Sequence, residues 1–362
     1  MPNLLDYLKW RGDLSFRAAP FCAVDALVLC QICYARLEGV VPGKDERRSV
    51  SAWETVDRFS ALPDAVERRY LGVLINGEKI MELFFQALRS KRFGSLRLFA
   101  YENVTEEENT KQFSALSFLL PDKTVFCAFR GTDDTLVGWK EDFAMAFLPV
   151  VPAQQAAAEY VQTVFTRSPG RGRPVRLGGH SKGGNLAVYA AACGSAAVRR
   201  KLLGVYNFDG PGFPGSRLET PEFQAVRDKL VSFTPEVSIV GMLFDRLGEF
   251  HVVASSEKGL QQHDALSWQL DGPHFALLED VSAFSKFFDR KLKKYLEERD
   301  TARRRELVSS IFDIVGASKA HTLTDLKNGG FETSLAILSA ILRKSFPNGK
   351  SARRGGDGNI PE

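Results

Sequence analysis

The chain has 362 residues, which is long for one compact domain and predicts a sizeable core with additions, or two domains. It is 44% hydrophobic and 25% charged. This ordinary globular composition excludes fibrous, collagen-like and wholly disordered chains. The formal net charge is +4, and residues 343–362 hold five Lys and Arg against two acids. The body is therefore near neutral, and we expect no nucleic-acid-binding face.

Neither a targeting segment nor a membrane span is expected. Residues 1–10 lack a basic start followed by an apolar run, so they do not resemble a secretory signal. The most apolar early stretch, residues 21–34, contains Asp25 and is shorter than the roughly 20 apolar residues of a membrane span. The five cysteines are an odd, sparse set, which fits a protein of the reducing cytoplasm without disulfides.

Hydrophobic patterning predicts helices first, and then strands that alternate with helices. Apolar residues recur at three- and four-residue spacing early in the chain, which predicts helices over residues 3–11, 23–37 and 66–89. Seven β-rich runs follow, at residues 96–101, 114–120, 124–130, 175–178, 205–209, 230–233 and 250–254. Helical patterns occur at residues 152–167, 183–197, 220–228 and 238–247. The alternation implies parallel pairing, and the first strands, without helices between them, are expected to form an antiparallel edge.

This order predicts four parts of the chain. Residues 1–90 form a helical N-terminal segment that can cap a site, and residues 91–285 form the α/β core. Residues 286–346 are predicted to be C-terminal helices, charged on one face and apolar on the other. Residues 347–362 are rich in Gly and Arg and are predicted to be disordered.

One short segment carries the clearest chemical signal. Gly179-His180-Ser181-Lys182-Gly183 lies between a β-type run and an Ala-rich helix, the context of a G-x-S-x-G nucleophile elbow. In that tight turn the serine backbone is strained, and side chains at the two glycine positions would clash. The turn lifts the Ser181 hydroxyl clear of the sheet and directs the Lys182 backbone N–H at a developing oxyanion. The plain alternative is a Gly-rich turn between a strand and a helix.

A second polar segment, residues 129–142, precedes the elbow. Gly131 and Thr132 end a β run, where a backbone N–H and a hydroxyl can supply the other half of an oxyanion hole. The alternative is a capped loop, in which Thr132 or Asp133 caps the next helix.

Together these residues resemble those of the class 3 lipases, which have an α/β-hydrolase fold. The shared residues are Phe129-Arg130-Gly131-Thr132, Trp139, Asp142 and Gly179-His180-Ser181-x-Gly183-Gly184. Residues 5–13, 238–243 and 262–268 are also similar to a lipase-like bacterial family catalogued only as a domain of unknown function. The likeness spans about residues 1–285. It implies an α/β-hydrolase fold, a mostly parallel sheet flanked by helices, with helical N-terminal and C-terminal additions.

The lipase resemblance also implies residue roles. It makes Ser181 the nucleophile and places Thr132 and the Lys182 backbone N–H at the oxyanion. The chain order of such triads, Ser, acid, His, requires a histidine downstream of the serine. The downstream histidines are His251, His263, His274 and His321. We predict that His263 is the base, because it lies in a polar turn just after a strand, whereas His251 lies within a β run.

The acid is less clearly indicated. In class 3 lipases an aspartate stands in an Asp-x-Val-Pro-like loop, and the matching segment here is residues 234–241. Ser238 occupies the position of the acid there, and Glu236 is the nearest carboxylate. We predict Glu236 as the acid, with Asp209, at the end of the preceding strand, as the alternative.

The sequence thus predicts a serine esterase or lipase-like hydrolase that cleaves an acyl ester or thioester through an acyl-enzyme. The expected partner is a small acyl or lipid substrate, and no metal or organic cofactor is required. The alternative is a catalytically weak or inactive hydrolase fold that binds an acyl ligand or acts as a scaffold, which the missing aspartate favours. A peptidase or an acyltransferase on the same fold also stays open.

Overall fold

The computed structural model describes residues 1–72, 76–133, 135–145, 148–167, 169–287 and 289–290, and these contain a nine-stranded mixed sheet and a two-stranded ladder. The strands are β1 (Val50–Ser51), β2 (Arg97–Glu106), β3 (Lys111–Leu119), β4 (Val125–Phe129), β5 (Val175–His180), β6 (Leu202–Phe208), β7 (Leu230–Pro235), β8 (Glu249–Val253), β9 (Leu270–Asp271), β10 (His274–Phe275) and β11 (Leu277–Leu278).

The large sheet has the strand order β1-β2-β3-β4-β5-β6-β7-β8-β11. Strands β4 to β8 pair in parallel at its centre. The first four strands pair antiparallel with one another, and β11 closes the other edge antiparallel to β8. The carboxyl ends of the five parallel strands therefore meet at one edge of the sheet, where α/β proteins commonly place their sites.

The helices lie on both faces of this sheet. They are α1 (Leu4–Arg11), α2 (Ala23–Ile32), α3 (Ala52–Ser60), α4 (Gly77–Arg89), α5 (Leu136–Ala144), α6 (Pro152–Thr166), α7 (Lys182–Cys193), α8 (Ala196–Lys201), α9 (Gly215–Leu218) and α10 (Pro221–Gln224). Short 3-10 helices cover Glu67–Arg69, Arg227–Lys229, Val240–Met242, Gly259–His263 and Ala265–Ser267.

Strand β4 shows how the sheet divides the core into two layers. Phe126 and Ala128 pack into a cluster with α1, α2 and α4. Val125, Cys127 and Phe129 pack into a second cluster with α6 and α7. Successive side chains of a strand point to opposite faces, so one short apolar run supports both layers. The N-terminal helices are thus packed on the sheet that carries the site.

The predicted strands of the sheet are confirmed. All seven β-rich runs fall on β2 to β8, and the antiparallel start of the sheet is present. Alternating hydrophobicity and long apolar runs made these strands visible. Strands β1, β9, β10 and β11 were not predicted, because two residues are too few to show a period.

The helix predicted over residues 238–247 is wrong. Only Val240–Met242 forms a 3-10 turn in this segment. Phe244 has a φ of 66°, outside the helical range, and Asp245 pairs with Phe213 across an isolated bridge. The backbone therefore leaves the helical conformation where the apolar spacing predicted a continuing helix. Helices α3, α5, α8 and α9 were not predicted.

The predicted C-terminal helices and disordered tail lie, from residue 291 onward, outside the described residues. The domain boundaries stay predictions. Across the described ranges, no helix combines the length and the apolar character needed to cross a membrane.

Candidate functional site

Ser181 stands in the tight turn that the sequence predicts between β5 and α7. Its backbone has φ 57° and ψ −135°, which is a costly conformation for a residue with a side chain. A Cβ on Gly179 would stand 2.1 Å from the Gly183 carbonyl carbon, and one on Gly183 would stand 2.1 Å from the Phe129 carbonyl oxygen. Only glycines fit at these two positions. Close backbone packing therefore fixes the conformation of this turn, and Ser181 lies half-buried at its tip.

His263 and Asp209 form a hydrogen-bonded pair at the same edge of the sheet. The imidazole Nδ1 lies 2.6 Å from the Asp209 Oδ2. The Asp209 side chain is fully buried, whereas the His263 side chain is 31% exposed. A buried carboxylate that accepts a hydrogen bond from Nδ1 fixes the orientation of the imidazole ring. The other ring nitrogen, Nε2, is then left for a different partner. Among the described residues, no hydrogen bond joins Ser181 to His263.

The structure thus brings the alternative acid, and not Glu236, to the imidazole. Asp209 follows β6 directly and has a φ of 51°. The side chain of Glu236 is exposed, and its backbone carbonyl accepts from Ser282 and Ser285. The backbone after β7 turns this carboxylate toward solvent, which is why the nearest carboxylate in the sequence is not the partner of His263.

The loop in which the acid was expected instead supplies donors to Asp209. The hydroxyls of Thr234 and Ser238 both donate to the Asp209 Oδ1, the latter at 2.7 Å. The backbone of Gly241 approaches so closely that a Cβ there would stand 2.1 Å from the same oxygen. Hydroxyl donors stabilise a buried carboxylate in its charged form. Ser238, which occupies the acid position of the lipase pattern, therefore supports an acid that comes from the preceding strand.

His180 positions His263 through the backbone. Its Nε2 lies 2.8 Å from the His263 carbonyl oxygen, and the two ring centroids are 4.8 Å apart. A carbonyl only accepts, so Nε2 carries the proton, and Nδ1 accepts from the Tyr34 hydroxyl at 3.1 Å. Burial, with a contribution from His263, lowers the pKa of His180 to about 3. A neutral His180 is the form that this arrangement requires.

The segment after β4 lies directly beside Ser181. A Cβ on Gly131 would stand 2.9 Å from the Ser181 Cβ and 2.8 Å from the His180 carbonyl oxygen. Thr132 follows, and its hydroxyl donates to the Asp142 Oδ2 on α5. The Lys182 N–H is one of the first N–H groups of α7, which have no partner inside the helix. The two segments predicted to form an oxyanion hole therefore face each other across Ser181.

The Lys182 side chain is buried and ties these two segments together. Its Nζ lies 2.6 Å from the Gln112 Oε1, 3.1 Å from the Glu141 Oε2 and 3.5 Å from the Asp142 Oδ1. Glu141 is fixed in turn by the backbone N–H groups of Gln112 and Ala153. A buried ion pair needs such completing hydrogen bonds to offset its desolvation. Lys182 thus presents its backbone N–H at the start of α7, and its side chain binds residues that lie beside the segment after β4.

Asp142 is the least satisfied member of this network. Its Oδ1 is buried and accepts no hydrogen bond within the described part of the chain. Burial raises the pKa of Asp142 to about 6, against the opposing effects of Lys182 and of the Thr132 hydroxyl. A carboxylate with this pKa beside the Thr132 turn changes charge close to neutral pH.

The other downstream histidines lie elsewhere. His251 is in β8, where its Nε2 lies 2.8 Å from the Glu249 carboxylate. His274 is in β10, and His321 lies outside the described residues. His263 is therefore the predicted histidine that the structure places next to the elbow.

Comparison with known proteins identifies the family. Residues 87–313, more than half of the chain, match the model of the Mbeg1-like family. The chain belongs to the Mbeg1-like family. None of the curated proteins compared with the chain matches it. The crystal structure of M37 lipase superposes with a TM-score of 0.36 at 14% identity, over 61% of this chain and 70% of that chain.

Membership of the Mbeg1-like family agrees with the lipase-like relationship inferred from the sequence motifs. The matching family model is described as Mbeg1-like, and the expected domain-of-unknown-function family is not confirmed by name. Its residues include Ser181, Asp209 and His263, together with the Lys182 network, whereas Tyr34 lies in the preceding segment.

Sequence reasoning missed the side-chain roles of Tyr34, Asp142 and Lys182. One signal for the last two was available. The residues around Lys182 at the start of α7 are mostly small or apolar, so a lysine there is expected to need a buried counter-ion. Two adjacent acids, Glu141 and Asp142, stand in the other segment of the lipase-like motif.

Proposed function

We propose that this member of the Mbeg1-like family is a serine hydrolase with an α/β-hydrolase fold that cleaves acyl esters or thioesters. Ser181 is the nucleophile, His263 the general base and Asp209 the acid that orients it. The backbone N–H groups of Thr132 and Lys182 form the oxyanion hole.

The observation that carries this proposal is the His263–Asp209 pair beside the strained Ser181 turn. The acid is buried, bonded at 2.6 Å to the imidazole and held by two hydroxyl donors. An imidazole with one nitrogen fixed by a carboxylate can take a proton at the other, which is the role of the base in a triad. A protein that only binds a ligand has no need for the strained serine.

The reaction follows from this arrangement. The Ser181 oxygen attacks the carbonyl carbon while His263 Nε2 takes the hydroxyl proton, and the resulting imidazolium is stabilised by Asp209. The tetrahedral oxyanion is held by the two backbone N–H groups. When the intermediate collapses, His263 gives the proton to the leaving alcohol or thiol, and the acyl group stays on Ser181. Water, activated by the same imidazole, then releases the acid.

The Ser181–His263 hydrogen bond forms in the complex rather than in the free protein. Catalytic hydrogen bonds are often long or poorly aligned before substrate binds and tighten on binding. His263 is partly exposed and is the last residue of a five-residue 3-10 helix, so we expect a small shift of this segment to bring Nε2 to Ser181 while the bond to Asp209 is kept.

The proposal is tested by hydrolysis of p-nitrophenyl esters with acyl chains of increasing length. Wild type should turn over at least one ester, and Ser181→Ala should lose about 10³-fold or more in kcat. Ser216→Ala is the matched control, because Ser216 is exposed on α9 and should leave kcat unchanged.

Retention of the wild-type rate by Ser181→Ala would place the chemistry elsewhere. Folded wild-type protein that hydrolyses none of the esters would favour the alternative role, an acyl-ligand-binding protein or scaffold.

A further inference from the structure

A charged cavity borders the proposed active site. It has a volume of about 340 Å³ and lies between the N-terminal segment and the turn after β4. Its lining includes three arginines and three carboxylates, which are Arg36, Arg68, Arg130, Glu38, Asp64 and Asp133. We call it the arginine cavity. Its charged walls exclude a fatty acyl chain, because burying apolar atoms against charged groups forfeits the hydration of those groups.

Tyr34 connects the arginine cavity to the nucleophile. Its side chain lines the cavity. A Cβ placed on Gly131 would stand 2.5 Å from the Tyr34 hydroxyl and 2.9 Å from the Ser181 Cβ. The cavity wall and the nucleophile thus flank the same glycine. Arg130 precedes that glycine directly and also lines the cavity. A substrate whose carbonyl lies at Ser181 therefore needs only a short extension to reach the arginine cavity.

Most of the charges in the cavity are already paired on its walls. Arg68 donates to Asp64 at 2.9 Å and to two backbone carbonyls, those of Arg36 and Glu38. The Glu38 carboxylate accepts from Tyr101 at 3.0 Å and from Asn103 at 2.6 Å. These carboxylates are therefore not free to receive a cationic ligand.

Two of the arginines retain unused donors. Arg130 is 4% exposed, its Nη2 donates to Asn103 and to Asp133, both at 3.0 Å, and its Nε is buried without a partner in the described part of the chain. The Arg36 side chain is exposed, and no hydrogen bond or ion pair of its guanidinium occurs among the described residues. The formal charges of the lining sum to zero, but its unused hydrogen-bond donors belong to two guanidinium groups, those of Arg36 and Arg130.

We propose that the arginine cavity binds an anionic group, a phosphate or a carboxylate, on the alcohol side of the ester that Ser181 cleaves. This inference rests on the proposed serine hydrolase function and names its substrate class. Guanidinium groups bind such oxygens through paired N–H donors. The anionic group belongs to the alcohol because the acyl chain cannot occupy a charged cavity. Arg36 supplies the exposed contact and Arg130 the buried one.

Binding to an inactive protein tests the ligand class without requiring turnover. Calorimetry on Ser181→Ala should show binding of dibutyryl phosphatidate at least about tenfold tighter than binding of the neutral tributyrin. Adding Arg36→Gln should weaken phosphatidate binding by about tenfold, and Arg36→Lys should restore part of it. Arg200→Gln is the matched control, since Arg200 is exposed on α8, away from the cavity, and should change neither value.

Equal binding of the anionic and neutral lipids, or phosphatidate binding that ignores Arg36→Gln, would overturn the proposal. Inorganic phosphate that binds as tightly as phosphatidate would also overturn it, because the cavity would then hold a free anion rather than part of a substrate.

Turnover by the full-length chain separates this inference from the proposed function. Wild type should have a higher kcat/KM for dibutyryl phosphatidate than for tributyrin. Arg36→Glu should reverse the charge preference, favouring the cationic ester butyrylcholine over phosphatidate. Hydrolysis of all three esters without charge preference would overturn the substrate class and leave the serine hydrolase standing. Anion binding that depends on Arg36, with no turnover of any ester, would overturn the hydrolase and retain the ligand class.

Discussion

Two fully buried ion pairs lie in different parts of this protein and are completed in different ways. Arg92 pairs with Asp25 where the N-terminal segment packs together, and Lys182 pairs with Glu141 behind the proposed oxyanion hole. The side chains of both pairs are almost entirely buried from solvent. They differ in how completely their polar atoms are satisfied.

The Arg92–Asp25 pair is fully satisfied. Arg92 binds both Asp25 oxygens at 2.6 Å and donates to the backbone carbonyls of three residues that precede α2. Asp25 also accepts from the Tyr7 hydroxyl at 2.7 Å and from the Cys22 N–H at 2.9 Å. This pair fastens the first residues of the chain to the core.

The Lys182–Glu141 pair has the unsatisfied Asp142 oxygen beside it. Lys182 carries one half of the proposed oxyanion hole, and Asp142 accepts from the hydroxyl of Thr132, which carries the other half. Two equally buried pairs can therefore have different roles. We infer that the first pair stabilises the fold, and that the second positions the N–H groups of the proposed oxyanion hole and leaves one polar atom without a hydrogen bond.

Breaking the structural pair should give the largest effect. Arg92→Met leaves Asp25 buried without its counter-ion, so the free energy of unfolding should fall by about 3–5 kcal/mol in urea titrations. Arg89→Met is the control, because the Arg89–Asp57 pair is exposed and its loss should cost less than about 1 kcal/mol. Equal effects of the two substitutions would remove the structural role of Arg92.

Neutralising the pair behind the site should affect turnover rather than stability. In Lys182→Met with Glu141→Gln, both charges go together, so the free energy of unfolding should change by less than about 2 kcal/mol. Because the turn after β4 loses its tether, kcat should fall by about 10²-fold with little change in KM. The matched double variant, Arg92→Met with Asp25→Asn, should keep its kcat. Unchanged kcat in the Lys182 double variant would make this pair merely structural.

Loss of the Thr132 hydroxyl should have a smaller effect. Thr132→Val keeps the shape and the backbone N–H but removes the donor to Asp142, so kcat should fall by about tenfold. Thr132→Ser, which retains the hydroxyl, should stay close to wild type. A change confined to thermal stability would return Thr132 to a loop-capping role.

The smallest effect concerns pH. The pKa of Asp142 is raised from 3.8 to about 6 in the folded protein, so between these values the folded state binds the proton more tightly than the unfolded state. Relative to Asp142→Asn, the wild-type free energy of unfolding should therefore decrease by about 1 kcal/mol as pH rises from 5 to 6.5. Urea titrations of both proteins across this range measure the difference, and an increase with pH would contradict the assigned shift.

The sequence predicted the parts of the site that depend on local pattern. The elbow was visible because its two glycines and its serine are close in sequence and have a steric reason. His263 was visible because a polar turn follows a strand. The parallel centre of the sheet followed from the alternation of strands and helices, whereas the chain order of serine, acid and histidine was implied by the lipase resemblance.

The remaining parts depend on contacts between distant segments. Whether Asp209 or Glu236 reaches His263 is decided by the left-handed backbone at Asp209 and by the direction of the turn after β7, neither of which leaves a pattern in the sequence. The Tyr34–His180 bond joins residues 146 positions apart. Such pairings need the packed fold before they can be seen.

The triad is tested most directly by labelling with a fluorophosphonate and locating the adduct by peptide mass spectrometry. The account predicts one phosphonylated residue, Ser181. Labelling of Asp209→Asn should be slower by about 10³-fold, because the imidazole loses its orienting acid, while Glu236→Gln should label at the wild-type rate. An adduct on another residue, or a rate that depends on Glu236 and not on Asp209, would contradict the proposed site.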